Sequence, residues 1–98
     1  MLYTLQQLKD KVSDVAVRYG VQRICLFGSY ARGDADSNSG VDLLIDKGKI
    51  KGLFALAGFL SDVEETLGLP VDIVTTDSLD AEFLQSTKSE EVLLYECI

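Results

Sequence analysis

The residues with the most chemical content lie between Leu26 and Asp46, in the stretch LFGSYARGDADSNSGVDLLID. An apolar run ends at Gly28-Ser29, and after ten further residues a second apolar run begins that carries Asp42. A Gly-Ser turn between a strand and a helix presents backbone N–H groups and a hydroxyl to a phosphate. A carboxylate inside an apolar strand needs a neutralising partner. The pattern therefore predicts a site for a nucleoside triphosphate and a divalent metal ion.

The acidic residues of two predicted strands could form the metal-binding part of this site. Side chains alternate across a strand, so positions 40 and 42 share a face, but Gly40 stands where a second acid is expected and leaves Asp42 alone. Asp72 points away from the face of Val71 and Ile73, and if the two strands are neighbours it lies beside Asp42. Two acids that close repel each other unless a cation or a proton lies between them. The alternative is that Asp72 is simply solvated at the start of its strand; downstream of a Gly-Ser turn, the pair favours a site.

Other polar residues of the stretch are weaker candidates. Asp46 shares the strand face but lies two pleats along the strand from Asp42, which is far for one ion. Asp34 and Asp36 lie in a segment rich in turn-forming residues and are interpreted as turn formers. Arg32 could contact a phosphate or form an ion pair with either of them. Ser29 could be an ordinary helix N-cap, but the strand and the glycine before it favour phosphate binding.

The spacing of apolar residues, with Gly and Pro as breaks, predicts alternating helices and strands. The first half of the chain is predicted to form a helix capped by Thr4 and ending at Gly20, a strand over 21–27, a short helix after Ser29 and a strand over 41–45. The second half is predicted to form a helix between the 47–52 turn and Gly68 and a strand over 71–75. A short helix from Ser78 or Asp80 to Gln85 and a strand or helical end over 92–95 complete the order. This order predicts an α/β fold in which helices pack on a small mixed sheet, in a single domain spanning residues 1–98.

Composition narrows the classes of function. The formal net charge is −7 and there is no histidine, so stable binding to nucleic acid is not expected and catalysis must use carboxylates, hydroxyls, Lys or Arg. Cys25 and Cys97 lie in apolar context and are predicted to be small buried residues of a reduced protein, although a disulfide would also be compatible. The first residues lack the pattern of a signal peptide and no apolar run reaches membrane-spanning length, so we expect a cytoplasmic protein.

Three segments resemble the signature of a known family. GSYARG at 28–33, the ten-residue spacing and SGVDLLI at 39–45 resemble the GSx10DxD pattern of the minimal nucleotidyltransferases, a branch of the DNA polymerase β-like superfamily, and VDIV at 71–74 resembles the strand that carries that family's third acid. The resemblance implies a polymerase β palm-like nucleotidyltransferase fold, a triphosphate held by Gly and Ser, and two Mg²⁺ ions held by three acids. Those acids map to positions 40, 42 and 72, and Asp42 and Asp72 match whereas position 40 does not.

Three functions are compatible with this resemblance. The first is transfer of a nucleoside monophosphate from a triphosphate, ATP in the leading case, to a hydroxyl of a protein or small molecule, with Mg²⁺ or Mn²⁺; Asp72 would favour deprotonation of the acceptor, and Gly40 would weaken the activity. The second is an inactive antitoxin that binds a HEPN-type helical protein or a second copy. The third is a nucleotide sensor without turnover. Candidates for an apolar interaction surface are Tyr3, Phe54, Phe59 and residues 93–95, with core packing as the alternative for each.

Overall fold

Two long helices pack together against one face of a four-stranded sheet in the computed structural model, which describes residues 3–36, 38–76 and 91–97. The helices are α1 (Leu5–Tyr19) and α3 (Gly52–Leu67), and a single-turn helix, α2 (Ser29–Arg32), lies between them in sequence. The Tyr3 hydroxyl donates a hydrogen bond to the Leu67 carbonyl and so joins the start of α1 to the end of α3.

The ends of α1 follow directly from its sequence. The Thr4 side chain accepts a hydrogen bond from the Gln7 backbone N–H at 3.1 Å, and the Gln7 side chain accepts one from the Thr4 N–H at 2.9 Å. This is the capping box predicted from the sequence. Gly20 ends the helix in the left-handed conformation, with φ 72°, which a residue without a Cβ adopts without steric cost.

The sheet is mixed, as predicted. Its strands are β1 (Arg23–Phe27), β2 (Val41–Asp46), β3 (Val71–Thr75) and β4 (Val92–Glu96), in the spatial order β3-β2-β1-β4. β1 lies antiparallel to both β2 and β4, whereas β2 and β3 are parallel. A crossover helix is the usual connection between parallel neighbours, and α3 provides it between β2 and β3.

Alternation along β2 separates the core from the polar face. Val41, Leu43 and Ile45 are fully buried with the apolar residues of α1 and α3. Asp42 lies between Val41 and Leu43 and Asp46 follows Ile45, so by alternation both acids point to the opposite face of the sheet. The helices thus cover one face and leave the acids on the other.

Several sequence expectations need adjustment. β1 begins at Arg23 rather than at residue 21, because the backbone N–H of Val21 still bonds to the Ala16 carbonyl at the end of α1. Cys97 is exposed rather than buried, because it follows the last residue of β4; Cys25 is buried as expected, and both thiols are free. The short helix predicted between Ser78 or Asp80 and Gln85 lies outside the described residues, and the last segment is a strand rather than a helical end. None of the helices in the described part of the chain is long and apolar enough to cross a membrane.

Candidate functional site

Asp42 and Asp72 are direct partners in the parallel pairing of β2 and β3. Neighbouring strands lie about 4.8 Å apart, so the two carboxyl groups emerge side by side on the polar face of the sheet. On its other side Asp42 is paired with Phe27, the last residue of β1. The structure therefore brings both sequence-predicted acids to the end of β1, where the Gly-Ser turn begins.

The backbone conformation and missing side chain of Gly28 make space for the carboxylate of Asp42. Its backbone has φ 77° and ψ −153°, a combination that is essentially confined to glycine. A Cβ added to Gly28 would lie 2.2 Å from Asp42 Oδ2. The missing side chain at Gly28 is therefore what allows the Asp42 carboxylate to rest against the turn.

Ser29 is the first residue of α2, and Gly28 occupies the N-cap position. The alternative interpretation of Ser29 as an ordinary N-cap is therefore wrong for this structure. The Ser29 carbonyl accepts hydrogen bonds of 3.0 Å from the backbone N–H groups of Gly33 and Asp34, which hold the turn closed. A role for the Ser29 hydroxyl and backbone N–H in binding phosphate stays a prediction.

The electrostatics of the pair favour a cation. Partial burial raises the pKa of Asp42, and the charge of Asp72 and a hydrogen bond with it raise that pKa further, while the positive charge of Arg32 lowers it. Arg32 also forms an ion pair with Asp34, with Nε 3.2 Å from Oδ2. Arg32 therefore lies close enough to the acids to influence them, and the ion pair considered in the sequence analysis is present as well.

Gly40 lies against the strand that carries Asp72. An ideal Cβ at Gly40 would be 3.0 Å from the carbonyl oxygen of Pro70 and 3.6 Å from the Pro70 Cβ. That same carbonyl accepts a 2.9 Å hydrogen bond from the Val41 N–H, so the pairing of β2 and β3 fixes its position. A side chain at position 40 is therefore crowded where the family pattern has an acid.

Each acid that could replace the missing one has another partner. Asp46 accepts a hydrogen bond from the hydroxyl of Thr76. Asp36 accepts hydrogen bonds from the Asn38 backbone N–H at 2.8 Å and from the Ser39 hydroxyl at 3.3 Å, which is the turn role predicted for it. Asp34 is paired with an arginine, as described above. Within the described ranges, no group of three or more His, Cys, Asp or Glu side chains is arranged to hold a metal ion.

The donor set nevertheless fits one magnesium ion. Mg²⁺ in phosphoryl-transfer sites is held by one or two carboxylates together with substrate phosphates and water. Asp42 and Asp72 supply two carboxylates, and their mutual repulsion is the feature that a divalent cation relieves. A second ion held by a third acid has no counterpart among the described residues of the site.

One feature beside α2 was not predicted from the sequence. The hydroxyl of Tyr30 is buried with no hydrogen-bond partner, and the residue borders a cavity of about 280 Å³ that Tyr3, Leu5 and Arg32 also line. Tyr30 is part of the core cluster. The only sequence signal was its place directly after Ser29, which does not distinguish a core tyrosine from a ligand-facing one.

Comparison with known proteins identifies relatives of the whole chain. The sequence profile of the nucleotidyltransferase domain family matches residues 5–95. The protein adenylyltransferase MntA of Thermococcus cleftensis is 33% identical over 95 residues, which cover 93% of this chain and 96% of that protein. The matched region therefore spans the helices, the strands and the positions of Asp42 and Asp72.

Two solved structures have the same fold. The structure of a predicted minimal nucleotidyltransferase superimposes with a TM-score of 0.78 at 30% identity and covers 92% of this chain and 95% of that one. A chain from the complex of a tri-AMPylated Shewanella oneidensis HEPN toxin with an MNT antitoxin gives a TM-score of 0.72 at 19% identity, covering 96% of this chain and 74% of that one. At that identity, the second similarity indicates the fold alone.

Proposed function

This chain belongs to the nucleotidyltransferase domain family, and from that premise we propose that it transfers the AMP group of ATP to a protein hydroxyl, slowly because Gly40 replaces one acid. The observation that carries the proposal is the direct pairing of Asp42 with Asp72 next to the Gly28 turn. A relative that covers nearly the whole chain is a protein adenylyltransferase, which supports AMP as the transferred group.

Different residues of this chain have separate roles in the reaction. The backbone N–H groups and hydroxyl of the Gly28-Ser29 turn hold the β- and γ-phosphates, and Arg32 adds a positive charge beside them. The acceptor oxygen attacks the α-phosphorus, a new P–O bond forms, and the bond to the pyrophosphate leaving group breaks. Asp72, which is exposed on β3, takes the proton of the acceptor hydroxyl.

Asp42 and Asp72 are the residues that would hold Mg²⁺, or Mn²⁺ in its place. The ion supplies charge stabilisation at the triphosphate oxygens during in-line displacement. The partly buried Asp42 lies under the turn and orients that end of the site, while the more exposed Asp72 faces the incoming acceptor. One carboxylate fewer than the family pattern means weaker binding of the ion and a slower reaction.

The acceptor that we propose is a HEPN-type helical protein. One structural neighbour is the MNT antitoxin complexed with an AMPylated HEPN toxin. A chain of 98 residues offers little protein to enclose both a nucleotide and an acceptor, so a second protein can complete the site. Such a pair would operate in the cytoplasm, where ATP is abundant and the two free thiols stay reduced.

A second candidate is an antitoxin that binds its partner without catalysis. The observation that favours it is the contact between Gly40 and Pro70, which leaves little space for the acid that the family pattern places there. In that case the fold and the partner surface are kept while the metal site is incomplete. Binding of nucleotide without dependence on Mg²⁺ would distinguish this candidate from an enzyme.

Two measurements test the proposed function. Isothermal titration with ATP, with and without Mg²⁺, should give tighter binding with the ion, and Asp72→Asn should remove that dependence. Incubation with labelled ATP and a HEPN-type protein from the same organism should label that protein slowly, and Asp42→Asn should abolish labelling. If ATP binding does not depend on Mg²⁺ and labelling does not exceed the Asp42→Asn background, the non-catalytic antitoxin remains as the function.

A further inference from the structure

The outer edge of β3 carries backbone groups without a partner strand. Among the described strands, β3 lies at one end of the sheet and pairs with β2 alone. The Val71 N–H bonds to the Glu64 side chain at 3.2 Å, so the backbone of Val71 faces away from β2. Backbone direction alternates along a strand, so the N–H and C=O of Ile73 also face outward. Within the described ranges nothing bonds to these two groups, and such an edge is a template for another strand.

An apolar groove lies beside this edge, on the side of the sheet that the helices cover. It is lined by Leu53, Leu56, Ala57, Leu60 and Ile73, and we call it the α3–β3 groove. Leu56, Leu60 and Ile73 are partly buried against the core, whereas Leu53 is 82% exposed and forms the rim. Exposed apolar surface of this kind commonly marks an interaction site.

The groove and the acid pair lie on opposite faces of the same edge strand. Ile73 lines the groove, while Asp72, the residue before it, points to the other face beside Asp42. A strand added to β3 places its side chains alternately on these two faces. Its residue opposite Ile73 therefore enters the groove, and one of that residue's two neighbours lies beside Asp72. Neighbouring strands are about 4.8 Å apart, which puts this neighbour within reach of the Asp72 carboxylate.

This position suits the direction of attack in the proposed reaction. Phe27, Asp42 and Asp72 are successive partners across β1, β2 and β3, and the Gly28-Ser29 turn follows Phe27. In phosphoryl transfer the attacking and leaving oxygens lie roughly in line. With the β- and γ-phosphates held at the turn, pyrophosphate leaves on the side of β1. The acceptor hydroxyl then approaches from the side of β3.

The charge of the site favours particular residues around that hydroxyl. The charge of Asp72 already opposes ionisation of Asp42, and the whole chain has a formal net charge of −7. An acidic residue beside the acceptor hydroxyl would add to this repulsion, whereas a basic residue would relieve it. Charge complementarity therefore favours an acceptor segment with basic flanks.

We propose that the protein acceptor binds as an extended segment that adds a strand to β3, with an apolar side chain in the α3–β3 groove, the modified hydroxyl on an adjacent residue, and basic flanking residues. This inference rests on the proposed function and specifies its acceptor sequence. The hydroxyl oxygen bonds to the α-phosphorus of ATP, its proton passes to Asp72, and pyrophosphate leaves. Main-chain hydrogen bonds give the affinity of such strand addition, and pockets for alternate side chains give the specificity.

A synthetic peptide tests this mode of binding without any chemistry. The peptide Lys-Val-Tyr-Leu-Tyr-Val-Lys places its apolar aliphatic residues on one face and has a Tyr on each side of the central Leu, so either strand direction sets a Tyr beside Asp72. Isothermal titration should show that it binds. N-methylation of the central Leu and of the Tyr after it should weaken binding at least about tenfold, because it removes the N–H groups that would bond to Ile73. Glu in place of both Lys should also weaken binding.

Two variants of the chain test the groove. Leu53→Glu should raise the dissociation constant of the peptide at least about tenfold, because it places a charge at the rim of the apolar groove. Phe54→Glu is the matched control, since Phe54 is 97% exposed on the same turn of α3 but does not line the groove. It carries the same added charge and should leave the dissociation constant unchanged. Because both side chains are exposed, both variants should keep the circular dichroism of the parent chain.

Labelling separates this inference from the proposed function. Labelled ATP should transfer AMP to the peptide and not to its N-methylated form. A HEPN-type protein that is labelled while the peptide does not bind up to about 1 mM overturns the inference and leaves the proposed function intact. Binding that N-methylation leaves unchanged, or that Leu53→Glu and Phe54→Glu weaken equally, overturns strand addition beside the groove. Peptide binding that depends on Leu53, without labelling of either acceptor, supports the docking mode and overturns the proposed function.

Discussion

Asp42 stands directly beside Asp72 across the parallel pairing of β2 with β3, and its carboxylate rests against the backbone of Gly28. Ionisation of Asp42 is disfavoured first by partial burial and then by the charge of Asp72, and both effects raise its pKa. An acid pair of this kind lowers the stability of the fold, because two close carboxylates repel one another unless a cation or a proton lies between them.

Asp42→Asn should therefore raise the melting temperature of the ligand-free chain at neutral pH. A carboxyl whose pKa is higher in the folded than in the unfolded state binds more protons when folded, so its ionisation destabilises the fold as the pH rises through that raised pKa. The advantage of the variant should disappear below the unfolded value of about 3.9. Thermal denaturation across this range checks the sign, with exposed Asp14→Asn on α1 as the control for net charge; a variant less stable than the parent chain at pH 7 would contradict the expectation.

Gly28→Ala should destabilise the fold by more than about 3 kcal/mol, because backbone strain and displacement of the Asp42 carboxylate act together. Gly33→Ala is the matched comparison, since Gly33 also has a positive φ, 83°, but its added Cβ would have nothing within 4 Å. That variant should lose only about 1–2 kcal/mol. Urea denaturation of both chains measures the difference, and equal losses would mean that the contact with Asp42 is unimportant.

Gly40→Asp should increase AMP transfer about 100-fold, the order expected when a charged group that stabilises the transition state is restored. It should also lower stability by about 1–2 kcal/mol, because its Cβ meets the Pro70 carbonyl. Gly40→Ala has the same crowding without the carboxylate and should lose stability with no gain in activity. If the original chain transfers AMP as fast as Gly40→Asp, another residue completes the site.

Tyr30→Phe should leave stability unchanged or raise it by up to about 1 kcal/mol, because it removes a buried hydroxyl that has no partner. Tyr19→Phe should instead destabilise the chain by about 1 kcal/mol, because it removes the hydrogen bond from the Tyr19 hydroxyl to Asp62. Chemical denaturation of the two variants side by side checks the contrast. A clear loss of stability for Tyr30→Phe would show that its hydroxyl has a partner in solution.

The sequence predicted the elements around the site because their signals are local. Thr4 with Gln7 forms the expected capping box, and α1 and α3 end at Gly20 and Gly68 as their apolar spacing indicates. The mixed sheet and the neighbouring positions of Asp42 and Asp72 followed from the family signature and from strand alternation. The helix ends are encoded within a few residues, whereas the acid pair joins distant segments and was predicted with the help of the family resemblance.

Features that depend on contacts between distant segments could not be predicted in this way. The role of Gly28 in making space for Asp42 requires the distance between two strands, and the crowding of Gly40 requires the position of Pro70. Phe54 and Phe59 are both aromatic residues of one apolar helix, yet one is exposed and the other fully buried. Their spacing alone does not separate them, because α3 is apolar on both sides where they occur.

Because Gly40 lies close to the Pro70 carbonyl, a change from an acid to glycine at this position is easier than a change from glycine to an acid. Replacement of an acid by glycine removes a Cβ that would stand 3.0 Å from the Pro70 carbonyl oxygen. The reverse replacement meets a backbone atom held by the Val41 hydrogen bond, so it is unfavourable unless β3 shifts. A lineage that has taken this step is therefore biased against reversion, and selection would act more readily on the partner-binding surfaces of the chain than on recovery of the third acid.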